Sequence, residues 1–496
     1  MALKLYNSLT KKKQLFKSLK KNQVKLYTCG PTVYDYAHIG NLWSYLTADV
    51  LRRYLEFLGF QVKHVKNITD VGHFTDDEEV EPTGEDKIEK AARREKKTPL
   101  EIARYYTRYY LKDEAKLNIK KPHVQPRPTQ EIPQIIKIIQ DLIKKKYAYE
   151  TSDGVYFNVK HFQAYGKLSG NTLNKIQAGA RVQINENKKN PADFALWIKR
   201  VGKNKKHTLH WPSPWGQGFP GWHIECTAMA TKYLGGSIDI HTGGEDNIFP
   251  HHECEIAQSQ AYTGKKFVRF WIHTRHFYLD NQKMSKSLKN IYTLSKTPSN
   301  KYPSLEQRGY QPLAFRLLKL QSHYRSKANF SFKALDQASK NLQKINQLYQ
   351  ELRDFPQTNN PKPKQTGAKA KSINVRSYLK KFIQALNQDL NTPLAVSVLL
   401  DLVKNTNKTI KNQTLSNPKQ VLATLEKLDQ VFAILTKTSK SKQVIPRNIK
   451  KLAQKREQAR QQKKFKLADQ LRDKIIAQGY KIIDTSKGSK IKTKNL

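Results

Sequence analysis

The sequence predicts an α/β fold: a parallel sheet interrupted by an inserted domain, then an all-helical C-terminal half and a small basic C-terminal domain. Three observations predict it. A strand–helix–strand unit stands near the start, the same signal returns after a stretch of short strands and turns, and helical periodicity takes over from Tyr310. Val24–Gly30 (VKLYTCG) reads as a buried strand ending in the turn Gly30-Pro31. Apolar residues at 50, 51, 54, 55 and 58 predict a helix over Leu46–Leu58 that Gly59 stops, and Gln61–Ile68 reads as the next strand. Residues 1–119 therefore form the first half of the sheet domain. Residues 120–200, with the turns Asp153-Gly154 and Ser169-Gly170, break the pattern as an inserted domain would. Gly236–Gly244 and Phe267–Leu279 restore it within a second half, 201–295. A helical region follows at 296–354, a linker at 355–375 (FPQTNNPKPKQTGAKAKS), a helical bundle at 376–438 and a basic region at 439–496.

Composition narrows the function. With 38% hydrophobic residues in 496, the chain can build a large core, which excludes wholesale disorder. No apolar run approaches the ~18 residues of a membrane span, so no membrane partner is expected. The net charge of +49 repels itself, which makes a polyanion the first partner to consider. The charge is concentrated at the end: Arg447–Leu496 carries 16 Lys+Arg and 4 Asp+Glu, more than twice the chain average. Three scattered cysteines, Cys29, Cys226 and Cys254, exclude a disulfide framework and point to a reducing, cytoplasmic compartment. Met1–Tyr34 contains no acidic residue, yet it is lysine-rich and lacks the apolar stretch of a signal peptide, so it reads as mature protein.

Three groups of residues carry chemistry. His38-Ile39-Gly40-Asn41 follows the first strand at a helix start, where open α/β sheets bind ligands and helix dipoles attract phosphate. The imidazole and the amide can donate to phosphate oxygens, and Gly40 lets backbone come close. Lys283-Met284-Ser285-Lys286-Ser287 sits in a polar loop after the last strand, and its two lysines can reach one polyphosphate. The third group is Cys29, Cys226 in GWHIEC (221–226), and His251 and Glu255 in HHECE. Residues 251 and 255 share a helix face, and two thiolates, an imidazole and a carboxylate make a zinc set. Spacing alone leaves His252, Glu253 and Cys254 open as ligands.

In order and about 245 residues apart, HIGN and KMSKS resemble the paired signatures of class I aminoacyl-tRNA synthetases. The chain as a whole resembles the cysteinyl-tRNA synthetase family nearly end to end. The similarity runs through CGPTVYDYAHIGN (29–41), NITDVGH (67–73), YGKLSG (165–170), SPWGQGFPGWHIEC (213–226), GGEDNIFPHHECEIAQS (243–259), HYRS (323–326) and DLNTP (389–393). It departs at Trp43 and Phe219, where arginines are expected, at Lys289 for glycine and at Cys254 for asparagine.

The resemblance implies a Rossmann-like catalytic domain and ATP-dependent activation of L-cysteine, followed by transfer to the 3′ end of tRNA(Cys). It implies His38, Asn41, Lys283 and Lys286 as catalytic residues, with Gly40 and Ser285 joining them around ATP and Mg2+. It also implies Thr69, Trp222 and Asp246 in the amino-acid pocket, with Asp246 facing the substrate ammonium. One Zn2+ per chain on Cys29, Cys226, His251 and Glu255 would select the thiol, and the enzyme would be a monomer. Residues 120–200 would be a connective insertion, 296–354 a stem-contact region and 439–496 an anticodon-binding region. A relative that joins cysteine to an amino sugar shares the metal site but lacks a tRNA-reading tail, so the basic tail favours tRNA.

Overall fold

The computed structural model describes residues 2–72, 74, 85–171, 186–279, 281–284, 290–355, 370–436, 446–485 and 488–493. They form two units, residues 1–435 and 436–496. In the first unit a hairpin of β1 (Lys4–Asn7) and β2 (Lys12–Leu15) precedes β3 (Gln23–Thr28), α1 (Ile39–Phe57) and β4 (Gln61–Lys66). β3 and β4 pair in parallel, as a crossover unit requires. Helix α1 begins seven residues before the apolar spacing suggested. His38 and Asn41 cap it reciprocally, and it is buried nearly all round, Thr47, Asp49 and Arg52 included, which hides its amphipathic period.

Helices α2 (Lys87–Glu95), α3 (Pro99–Lys116) and α4 (Ile132–Lys144) follow. An antiparallel sheet comes next, of β5 (Ala148–Glu150), β6 (Gly154–Phe157), β7 (Phe194–Lys199) and β8 (Gly218–Pro220). Its last strand lies beyond residue 200. Helix α5 (Trp222–Leu234), β9 (Ile238–Gly244), α6 (Glu253–Thr263) and β10 (Val268–Thr274) then complete the parallel sheet in the order β10-β9-β3-β4. The segment read as one return to the sheet at 267–279 divides in two. β11 (Phe277–Leu279) leaves to pair with β12 (Gln282–Lys283) and β13 (Ala328–Phe330).

The helical half comprises α7 (Pro312–Leu320), α8 (Phe332–Arg353), α9 (Val375–Asn387), α10 (Thr392–Lys411) and α11 (Pro418–Phe432). It shares one apolar core with α1 and the sheet. Two polar junctions fix that packing. The buried Asp389 carboxylate accepts from the Tyr6 amide (2.7 Å), Tyr324 Oη (2.5 Å) and Arg325 Nε (2.6 Å), so the HYRS and DLNTP segments form one knot with β1. Arg316, fully buried, donates to the carbonyls of Phe432 (2.6 Å) and Leu117 (2.8 Å) and to Asp49 of α1 (2.6 Å).

The second unit packs α12 (Arg447–Gln461), α13 (Phe465–Ala477) and the hairpin β14 (Tyr480–Thr485)–β15 (Gly488–Thr493) around Ile449, Ala453, Ile475 and Ile482. The tail is thus not helical throughout. No helix among the described residues is long and apolar enough to cross a membrane.

Burial raises the Asp49 carboxyl, but Arg316 and Arg53 outweigh it and hold it below its ordinary value. That pair therefore stabilises the fold above pH ~4 and loses its contribution as pH falls through the native value. Arg316→Met should cost about 3–5 kcal/mol in urea unfolding at pH 7, because Asp49 loses its buried partner. The gap to wild type should narrow as pH falls below ~4 through the native value of Asp49; a gap independent of pH there would show that the ion pair is not the cause.

Candidate active site

The sheet order places the first strand, β3, between β4 and β9, so the crossovers diverge at β3/β9. A cleft of about 540 Å³ opens beyond the carboxyl ends of these strands, where such sheets bind ligands. Its wall includes Cys29, His38, Gly40, Asn41, Thr69, Trp222, Cys226, Asp246 and His251.

The helix start is a local construction. His38 Nδ1 accepts from the Asn41 amide (3.3 Å), and Asn41 Oδ1 accepts from the His38 amide (3.2 Å). With Nδ1 an acceptor, the neutral ring carries its proton on Nε2, the end that can donate to a phosphate. A Cβ on Gly40 would lie 2.9 Å from His38 Nδ1, so this glycine first of all makes room for the imidazole. Ser285 and Lys286 lie outside the described residues, and of Lys283 only the backbone, in β12, is described.

The metal-type donors converge. One atom from each of Cys29, Cys226, His251 and Glu255 lies within 4.8 Å of every other, all buried. The sulfurs are 3.8 Å apart, Cys29 Sγ is 3.5 Å from Glu255 Oε1, and His251 Nε2 is 3.1 Å from the same oxygen. A second set, Cys29, His241, His252 and Glu255, meets the same criterion, with His252 Nε2 3.3 Å from Cys29 Sγ. The sets differ in what they face: Cys226 and His251 line the cleft, whereas His241 and His252 lie behind it, without exposure. Glu253 instead accepts from the amides of Leu168 and Ser169, which secures the YGKLSG segment, and Cys254 sits in the core 3.5 Å from Tyr165 Oη.

The electrostatics follow from these contacts. The hydrogen bond from Cys29 brings the Cys226 thiol down to about 6, while burial drives Cys29 upward. Burial opposes charge on His251, but its bonds to Cys226 and Glu255 outweigh it and raise the imidazole to about 10. Glu255 drops to about 2 despite burial, because His241 and His251 flank it. Two acidic groups thus face a protonated imidazole, and a metal cation held here would replace the protons of His251 and Cys29.

The remaining predicted residues occupy the cleft in different ways. Trp222 stacks on His251 with ring centroids 4.3 Å apart, and Thr69 Oγ1 accepts from Asn67 Nδ2 (3.0 Å). Asp246 stands half-exposed on the rim, 3.4 Å from His276 Nδ1. Trp43, in place of an arginine, packs on Phe277 (4.5 Å) beneath the cleft, and buried Lys319 puts its ammonium 4.7 Å from the indole centroid. Burial brings Lys319 down to about 7. Phe219, the second departure, is fully buried and stacks on His207 at 3.8 Å; Lys289 lies outside the described residues.

Sequence reasoning left His252 open as a ligand and passed over His223, His241 and His273, which stand around the donors. His241 Nε2 contacts Glu255 Oε2 (3.0 Å), His252 Nδ1 contacts His273 Nε2 (2.7 Å), and His223 Nδ1 contacts His251 Nδ1 (3.0 Å). The signal was present, since His241 and His273 interrupt strands that are otherwise buried and mostly apolar (IDIHTGG, VRFWIHT).

The family model for the tRNA synthetases class I (C) catalytic domain matches residues 15–340, and the DALR domain model matches 381–436. The chain is 42% identical over 502 residues to a cysteine–tRNA ligase of Chlorobium chlorochromatii, covering 99% of each chain. It is 42% identical to that of Caldicellulosiruptor saccharolyticus, again over 99% of each, and 40% identical to that of Brevibacillus brevis over 98% of this chain and 99% of the relative. Among solved structures, Mycobacterium tuberculosis methionyl-tRNA synthetase in complex with methionyl-adenylate superposes with a TM-score of 0.55 at 12% identity, over 83% of this chain and 90% of that one; the likeness shows the fold.

Gly40→Ala should displace the His38 ring and break the cap. The expected cost is roughly 1 kcal/mol of stability despite alanine's better helix propensity, and the His38 Nδ1 resonance should lose its acceptor signature in ¹⁵N NMR. An unchanged Nδ1 shift would show that the ring is not confined by this position.

Proposed function

The chain belongs to the cysteine–tRNA ligase family of class I tRNA synthetases, and from that premise we propose that its cleft activates L-cysteine with ATP and Mg2+ and transfers it to the 3′ end of tRNA(Cys), a zinc ion selecting the thiol. One observation carries the zinc part of this reading: two thiols, an imidazole and a carboxylate converge at the wall of the same cleft that His38 and Asn41 border. Zinc on Cys29, Cys226, His251 and Glu255 would supply a soft Lewis acid for the substrate sulfur, a distinction that an apolar pocket makes only ~10²-fold between near-isosteres.

The protein's own groups bind and orient. Trp222 and His223 hold the His251 ring from two sides, and His241 fixes Glu255 from behind, so the donors stay in place before substrate arrives. Asp246 on the rim supplies a carboxylate for the substrate ammonium, and Thr69 lines the same cleft. The substrate carboxylate is itself the nucleophile toward the α-phosphate, so no protein nucleophile is needed. What the reaction needs is positioning and compensation of the charge that moves onto pyrophosphate. His38 Nε2–H and the Asn41 amide NH2 serve this at the helix start, and Lys283 and Lys286, with Ser285 between them in sequence, serve the same charge. Residues 120–200 then act as the connective insertion, 296–354 contact the tRNA stem, and the basic unit 439–496 reads the anticodon.

Purified protein should carry about one zinc per chain by metal analysis and catalyse cysteine-dependent ATP–pyrophosphate exchange. Cys226→Ser should lose both together, whereas Cys254→Asn should keep both, because Cys254 lies in the core beside Tyr165. Active enzyme without zinc would overturn the metal assignment, and absence of cysteine-dependent exchange would overturn the ligase reading.

A further inference from the structure

Helices α2 and α3 contain acids and bases in mixed order along the sequence, but the fold sorts them. Glu89 accepts from the Thr208 amide, Asp113 from Ser295 Oγ, and Glu114 from Lys66 and Tyr110; all three carboxylates are buried. Glu95 is shared by Arg94 and Lys97, and Glu101 is spent on the Thr98 cap. Lys90, Lys96, Arg104, Arg108 and Lys112 are exposed and make no ion pair among the described residues.

Two tyrosines stand between these cations. Tyr105 and Tyr109 follow Arg104 and Arg108 at the same four-residue interval, so all four share one face of α3. Their ring centroids are 5.1 Å apart, Tyr36 supports them edge-on at 6.3 and 4.9 Å, and Lys97 Nζ lies 4.5 Å from the Tyr105 centroid. Both rings are only half-buried. The strip adjoins the cleft: Tyr36 lies two residues before His38, and Lys87 at the start of α2 lines the cleft wall.

We propose that this face of α2–α3 binds an RNA strand at the cleft mouth, with Arg104 and Arg108 on consecutive phosphates and a base stacked on the Tyr105–Tyr109 platform. The inference rests on the tRNA ligase reading and adds an RNA surface within the first unit. A merely solvated helix face would be served by lysines alone. Arginine forks fit phosphate, and half-exposed rings backed by a third ring offer a rigid stacking surface to any base. Three of the five acids of α2–α3 turn inward, so the bases outnumber the exposed acids, Glu101 among them, and the strip keeps a net positive field.

The test uses full-length protein and a tRNA(Cys) transcript as the probe, over a KCl series. The double variant R104Q/R108Q should flatten the slope of log affinity against log salt by about 1.4, at ~0.7 per single-strand phosphate. Tyr109→Ala should weaken binding about tenfold at fixed salt while leaving the slope unchanged. Cysteine-dependent pyrophosphate exchange, run without tRNA, should stay at the wild-type level in both. If both variants bind the transcript with wild-type affinity and slope, the RNA surface is wrong, and an acidic protein is then the fitting occupant. A wild-type protein that lacks cysteine-dependent exchange would instead sink the ligase reading.

Discussion

The pairing of β3 with β9 is the constraint on which the cleft depends. The strands are far apart in sequence but adjacent and parallel, in the register Leu26↔Ile240, Tyr27↔His241 and Thr28↔Thr242. The Thr28 and Thr242 hydroxyls meet at 2.8 Å, and the Cys29 amide donates to the Thr242 carbonyl at 3.2 Å. From the end of β3 come Cys29 and the His38 cap; from the end of β9 come the Gly243–Asn247 turn and then His251 and Glu255. Because side chains alternate across a strand, a slip of one residue would send His241 to the opposite face and withdraw it from Glu255.

That arrangement puts a carboxylate, two thiols and several imidazoles in buried positions, three of them at the wall of the cleft. Buried ionisable groups destabilise a fold unless they share charge or stay neutral, and both solutions occur here. Glu255 sits between His241 and His251, and Cys226 between Cys29 and His251, so charge forms where opposite charge faces it. His252 and His273, held at 2.7 Å from each other, are driven the other way, His273 down to about 3 by burial and the neighbouring His241. Cys226, His251 and Glu255 are therefore held in their charged forms, whereas burial keeps Cys29, His252 and His273 in their uncharged ones. Acid stability follows the same logic at Asp49, whose worth to the fold depends on Arg316.

Much of this was readable from the sequence, for reasons that differ by element. β3, β4, β9 and β10 announce themselves because buried strands are short apolar runs with sharp ends. The start of α1 did not, because a helix buried on all sides has no polar face to set its phase. HIGN, the two cysteine segments and HHECE were visible as motifs, but periodicity could not choose between His251 and His252, which adjoin in sequence and both approach Cys29. Only the cleft separates them, and the cleft is made by the β3/β9 pairing. The departures Trp43 and Phe219 became intelligible only with their packing partners, Lys319 and His207. The supporting histidines of β9 and β10 are a strand-level anomaly that acquires meaning once the two strands are seen to be neighbours.

The charge excess has a structural side that composition conceals. Among the described residues fifteen Asp and Glu side chains are buried, against five Lys and Arg. The solvent therefore meets a surface more basic than +49 on 496 residues suggests, because acids are consumed as internal hydrogen-bond acceptors. Asp49, Asp113, Glu114, Glu255 and Asp389 each hold two segments together, and none of them faces water. A carboxylate accepts several hydrogen bonds at once and so ties loops and helix ends to strands, whereas a lysine used inside would carry only donors. Sorting of this kind stabilises the core and exposes a polycationic exterior by the same act. The arginine–tyrosine face of α3 is a consequence of that distribution, whereas the basic tail owes its charge to composition alone, since Glu457, Asp469 and Asp473 are not buried.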